Sequence, residues 1–117
     1  MSRELGFQLH ECLQIESLTR RDRYSGQSSG DYASVLFAAE RLAKDFFANH
    51  YAKGDANEPQ FVDGGVRTIP ETGIAWRNFA EAGFLCAHWD ADEGGIQLPE
   101  PVFRAAMAHF FEANAAT

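Results

Sequence analysis

The sequence predicts an all-α fold, a small helical bundle carrying one short β-hairpin. Three observations lead there. Apolar residues recur at three-to-four spacing in four separate stretches, the period of a helix with one buried face. Asp63-Gly64-Gly65 sits between Phe61-Val62 and Val66, a layout that suits a two-residue reversal between short strands. Glycine or proline marks several of their ends, at Gly54, Pro70, Gly83 and Pro99.

Ser2 is placed to cap a first helix, in which Leu5, Leu9, Cys12 and Leu13 share a stripe with Phe7 beside it, ending near Leu18. "TRRDRYSGQSSGD" follows without an apolar period and reads as a solvated connector. Its arginines could seat a phosphate, but no glycine-lined phosphate loop accompanies them. From Asp31 the period returns: Val35, Ala39, Leu42 and Phe46 form a stripe widened by Tyr32, Ala38, Phe47 and Tyr51. Gly54 is expected to end that helix in a left-handed turn. The hairpin comes next and is expected to lie on the helices, because two short strands are not stable alone.

A third helix starts at Pro70 or Glu71 and closes at Gly83, with Ile74, Trp76, Phe79 and Ala80 on its buried side. The last begins near Pro99 to Pro101 and runs to the end of the chain. In "VFRAAMAHFFEANAA" only Arg104, His109, Glu112 and Asn114 are polar, so most of its circumference is apolar. Three short helices and a hairpin cover one side of such a rod. More chain or a second subunit is expected on the other. The pattern stops at Thr117 with no polar cap or glycine, so the helical domain reads as truncated at its carboxy-terminal end.

Composition narrows the functions. A formal net charge of −7 over 117 residues opposes nucleic acid and anionic membrane as partners, since both need a basic surface. No run is apolar enough to span a bilayer and "MSRELGFQLHE" lacks a signal-peptide layout, so the expected location is cytoplasmic. Cys12 and Cys86 are too few for a disulfide framework and are expected in the core.

Local chemistry is sparse. "DADEGGIQLP" begins like a calcium loop, with Asp90, Asp92 and Gly95 at its first, third and sixth positions. The fifth is Gly94 and the twelfth Pro101, which leaves too few oxygen ligands to dehydrate the cation. A tight inter-helix loop explains the same residues. His10, His50, His88 and His109 include no pair four apart on a helix, so no metal site is read from them. Ser25, Ser28 and Ser29 have no nucleophile-elbow setting, and neither Gly-Gly pair lies between a strand and a helix as a dinucleotide loop requires. The residues by themselves designate no catalytic group.

The order of segments nevertheless resembles a known family. A long helix with Gly54-Asp55, a hairpin with Asp63-Gly64, Val66 and Pro70, the "AWRNFAEAGF" helix (Ala75 to Phe84), a loop with Gly94-Gly95 and Leu98-Pro99, and a helix finishing in "ANAA" (Ala113 to Ala116) are similar to the amino-terminal helical domain of acyl-CoA dehydrogenases. The resemblance covers residues 31–117. Residues 1–30, an extension helix and connector, resemble the added segment of the longer branch that includes 3-methylmercaptopropionyl-CoA dehydrogenase. Ile96-Gln97 and "DADE" depart from the family's loop.

The resemblance implies an FAD-dependent oxidoreductase that removes hydrogens from the α and β carbons of an acyl-CoA thioester. In that family the glutamate base and most flavin contacts belong to the remaining domains. They would be this chain's partners, in an enzyme expected to be a homo-oligomer. No catalytic residue therefore transfers. Phe111 and Asn114 are expected to approach the cofactor and substrate cleft, and the chain alone is expected to bind no cofactor. The alternative is a stand-alone helical interaction module that buries its last helix in a homodimer.

Overall fold

The computed structural model describes residues 2–117. Ser2 caps α1 (Arg3–Gly6), its Oγ accepting from the Leu5 N–H at 3.2 Å. The helix then widens. Phe7–Cys12 is π-helical, with the Leu13 N–H reaching back five residues to Gln8 O, and Gln14 stops it with φ at +47°. Each residue of a wider turn advances less around the axis, so the expected stripe splits. Leu9 is buried and Leu5 half-buried, while Phe7, Cys12 and Leu13 face solvent. The helix thus ends about one and a half turns short of Leu18. Cys12 is exposed and Cys86 half-buried, so neither is the core residue expected.

The connector, residues 19–31, keeps its side chains exposed or half-buried, as expected of a solvated segment, but it is wound into 3₁₀ turns at Ile15–Arg20 and Asp22–Tyr24, and Ile15 just before it is fully buried. Ile15 follows a break, and a single buried residue outside any period leaves no pattern to read.

Ser28 and Asp31 form a reciprocal capping box that starts α2 (Ser29–Leu42). One rod continues through a π-helical turn (Ala43–Phe47) and a 3₁₀ turn (Ala48–His50) into α3 (Tyr51–Ala56). Its buried line is Tyr32, Leu36, Ala39, Ala43, Phe47 and His50. The expected Val35, Leu42 and Phe46 flank that line half-buried, and Ala38 and Tyr51 lie outside it. Gly54 sits inside α3, not at a left-handed end; the Asn57 side chain closes the rod by donating to Lys53 O at 2.8 Å.

The hairpin forms where expected: β1 (Gln60–Val62) and β2 (Gly65–Arg67) are antiparallel, with Phe61 opposite Val66. Asp63 and Gly64 both take positive φ, +52° and +78°, as a two-residue reversal of right-twisted strands needs. It does not lie down on the helices. Phe61 is 76% and Val66 68% exposed, because a cross-strand pair in three-residue strands points both side chains to one face, and that face is turned outward.

Pro70 opens α4 (Pro70–Glu81), and Gly83 follows it at φ +84°. Ala75 and Phe79 are its buried residues; Ile74 and Trp76, expected inside, stand half out at its flanks. After the 86–99 loop, α5 (Glu100–Asn114) lies along α2, with the Ala43–Phe47 turn also packed against it and against α4. Ala39, Ala43, Ala105 and Ala106 are all buried, and side chains of that size let two helices approach closely. Phe47, Phe79, Phe84 and Phe110 fill the centre, with Phe110 centroids 5.0 to 5.2 Å from the other three rings.

The last helix is better covered than its sequence suggested. Val102, Phe103, Ala105, Ala106, Phe110 and Asn114 are buried, and its exposed apolar positions reduce to Ala108 and Phe111. Among the described residues no helix is long and apolar enough to cross a membrane.

Candidate functional site

The carboxy-terminal end of α5 meets the π-to-3₁₀ transition of the long rod, and that irregularity creates the local chemistry. The Tyr51 N–H bonds to Ala48 O, and the Phe47 carbonyl accepts instead from Asn114 Nδ2 at 3.2 Å. Asn114 Oδ1 accepts from the Ala116 N–H at 3.2 Å, so the amide closes the helix end with both of its halves. His50, 2% exposed, bridges Asn49 Oδ1 at 3.0 Å and Thr117 Oγ1 at 2.8 Å. A buried polar group needs such partners, and both ring nitrogens of His50 have one.

Two hollows flank this knot, and Asn114 and Thr117 line both. One, about 230 Å³, is walled by Phe47, Trp76, Phe79, Met107, Phe110 and Phe111 and has no charged residue in its lining. Trp76 stacks on Phe79 at 5.6 Å and is half-exposed; Phe111 is 60% exposed. The other, about 290 Å³, does carry charge, with His50, Asp55, Glu58, Thr68 and Thr72 among its walls. Phe111 and Asn114 thus share one hollow but do different things. Phe111 is a rim group free to touch a ligand, and Asn114 is a buried fastener.

Trp76, His50 and Thr117 also belong to this end of the molecule, and the sequence reading assigned them no place there. His50 continues the Ala39, Ala43, Phe47 line by three residues, a signal that marked it as inward-facing. Trp76 carried the opposite signal, since its place on the α4 stripe suggested burial.

The remaining candidates are engaged elsewhere. Asp90, the first residue of the calcium-like loop, pairs with Arg23 at 2.5 Å. Gln27 Nε2 donates to Ile96 O and Gln97 O at 3.0 and 2.9 Å, Gln97 Nε2 donates to Arg23 O at 3.0 Å, and Tyr32 Oη donates to Gln27 Oε1 at 2.9 Å. Burial raises the Tyr32 phenol above its ordinary pKa, with Tyr24 and Asp31 adding to the effect, so it stays a neutral donor. The loop is therefore a clasp for residues 23–27. Among the described residues no group of three or more His, Cys, Asp or Glu is placed to hold a metal ion.

His10 pairs with Glu16 across the Gln14 break. Backbone hydrogen bonding and then His10 hold that carboxyl below the usual range. The His88 ring lies 4.2 Å from that of Phe103, and His88 Nδ1 and His109 Nε2 are buried without a hydrogen-bond partner among the described residues.

The chain matches no family model, and comparisons with curated proteins and with solved structures return no match either.

Proposed function

We propose that this chain is the amino-terminal helical domain of a flavin-dependent enzyme of the acyl-CoA dehydrogenase type, contributing a wall of the substrate cleft but not its chemistry. The observation that carries the proposal is the charge-free aromatic hollow at the end of α5, where Trp76 and Phe111 stand half in solvent. An apolar concavity with aromatic walls and one adjacent amide is what an acyl or ring-bearing ligand requires of its binding surface. Supporting it, the long rod, the Asp63-Gly64 reversal, the Pro70 start, the Gly83 stop and the terminal helix follow in the order that the family resemblance implies.

This hollow by itself does not fit a flavin dinucleotide. The hollow's lining has no Lys or Arg, and no glycine-rich turn opens onto it, so a pyrophosphate would find no cradle. The proposal therefore leaves flavin, base and electron transfer to the other domains of the enzyme.

The test is to tag the protein in its native cells and purify it under mild conditions. Flavin absorbance and dye-coupled oxidation of acyl-CoA are expected in the preparation, while isolated 1–117 is expected colourless and inactive. Native material free of flavin and of activity would refute the proposal. Flavin retained by isolated 1–117 would overturn the division of labour.

A further inference from the structure

The knot at the end of α5 holds an arrangement that neither the cleft wall nor the packing of the core requires. Neighbours in sequence point about 100° apart on an α-helix and do not meet. At the end of the Ala48–His50 turn the backbone leaves helical geometry, with His50 at φ −121° and ψ 9°, and the Asn49 and His50 side chains bond at 3.0 Å. Asn49 Nδ2 donates to Asp45 O at 2.8 Å, so the amide oxygen is the half turned to the imidazole. His50 Nδ1 therefore carries the ring proton. Nε2 is left as an acceptor, and its partner at 2.8 Å, the Thr117 hydroxyl, is the donor.

A hydroxyl donating to a neutral imidazole whose far nitrogen is held by an amide oxygen places nucleophile, base and orienting group in series. Here they are Thr117, His50 and Asn49. His50 is buried and Thr117 half-buried, and both line the hollow of about 290 Å³, so the hydroxyl is the member open to a reactant. The hydroxyl groups of Thr68 and Thr72 line the same hollow and can donate to an oxyanion formed there. Its other charged walls are Asp55 and Glu58, and it has no Lys or Arg among the described residues, which turns anionic reactants away.

We infer that Thr117 is the nucleophile of an acyl-transfer site that takes small uncharged carboxylic esters. Thr117 Oγ1 bonds to the ester carbonyl carbon as its proton passes to His50 Nε2. The carbon–oxygen bond to the alcohol then breaks, and His50 returns the proton to the departing oxygen. The acyl group stays on Thr117 until a water, deprotonated by His50, releases it as the carboxylic acid and restores the hydroxyl. Asn49 is a positioning residue that holds the imidazole in the tautomer this needs. No oxidant takes part, and the inference does not rest on the flavoenzyme reading.

The probe is 4-nitrophenyl acetate added to the purified 117-residue chain. A burst of 4-nitrophenolate matching the chain concentration is expected, with peptide mapping by mass spectrometry finding the acetyl group on Thr117. Thr117→Val should slow release about a hundredfold or more, as loss of base-assisted attack does, and Thr117→Ser should restore it. Thr117→Val leaves the Asn49–His50 bond in place, so an unchanged melt should accompany the lost burst. Asn49→Leu should also slow release, and Asn49→Asp, which keeps an acceptor for the Nδ1 proton, should recover it. Mapping reads the wild-type chain and stands whatever a variant does to folding. Release no faster from the wild type than from Thr117→Val, or acetyl confined to Lys44, Lys53 or the amino terminus, would overturn the inference. Equal losses in Asn49→Leu and Asn49→Asp would overturn the role given to Asn49.

Discussion

The aromatic centre and the hairpin are both rich in apolar side chains, and they meet opposite fates. Phe47, Phe79, Phe84 and Phe110 come from four different segments and converge on one another. Phe61 and Val66 come from adjacent strands, pair with each other and end in solvent. A helix presents its stripe to several neighbours along its length, whereas a three-residue strand offers only one or two residues per face and nothing to lock its tilt. Between these extremes lies the 23–27 clasp, held by side chains bonded to backbone carbonyls and by little apolar burial.

The sharpest way to separate the regions is to truncate each. Phe110→Ala should cost about 3–5 kcal/mol in denaturant unfolding, because three rings lose their common partner and the gap cannot close. A loss under about 1 kcal/mol would mean that the centre is loosely packed. Gly95→Ala should come next, at about 1–3 kcal/mol or more. A Cβ there would overlap the Trp89 carbonyl and lie 2.7 Å from Cys86 O, so the 86–98 loop must open and release the clasp. Faster amide exchange at Ile96 and Leu98, whose N–H groups bond Ala87 O, would report it.

Asn114→Ala should cost about 1–3 kcal/mol by stranding the Phe47 carbonyl. Asn114→Asp keeps the acceptor for Ala116 but loses the donor, and is expected to recover little of that stability. Phe61→Ser in the hairpin should stay within about 0.5 kcal/mol, and a loss of more than twice that would show that the hairpin is covered in solution.

The smallest effect concerns acid. Lys44, hydrogen-bonded to Glu40, is the foremost cause of a Glu40 pKa lowered from 4.5 to about 2. The folded state holds its proton less tightly, so the stabilisation is complete above 4.5 and fades as pH falls toward 2. The Lys53 ammonium lowers Glu71 in the same sense. Both pairs reach solvent, so Glu40→Gln should only flatten the acid limb of Tm against pH slightly. An unchanged limb would assign acid sensitivity elsewhere, with Glu16 beside His10 the next carboxyl to replace.

The misplaced residues show where local pattern loses its hold. Period identified α2, α4 and α5, and Asp63-Gly64 identified the hairpin turn, because each is a preference of the chain within a few residues. The same period misassigned Cys12 and Tyr51. Cys12 ends one π-helical turn and Tyr51 follows another, and such a turn shifts side chains around the axis without changing the sequence spacing. At the end of α5, Phe111 and Asn114 were singled out through the family resemblance alone, and the structure places both on one hollow. The knot of His50 with Thr117, and of Asn114 with Phe47, joins residues 67 apart and has no local signature.

What the amino-acid order determined alone is therefore helix, turn and stop, since caps, glycines and apolar spacing act over one or two turns. Which apolar face would be sealed and which left bare was decided only when the rods met. Close packing rewards small side chains at a helix contact and aromatic rings at a junction. That reward depends on what stands opposite, so α5 was enclosed while Phe37, Phe61 and Trp76 were not.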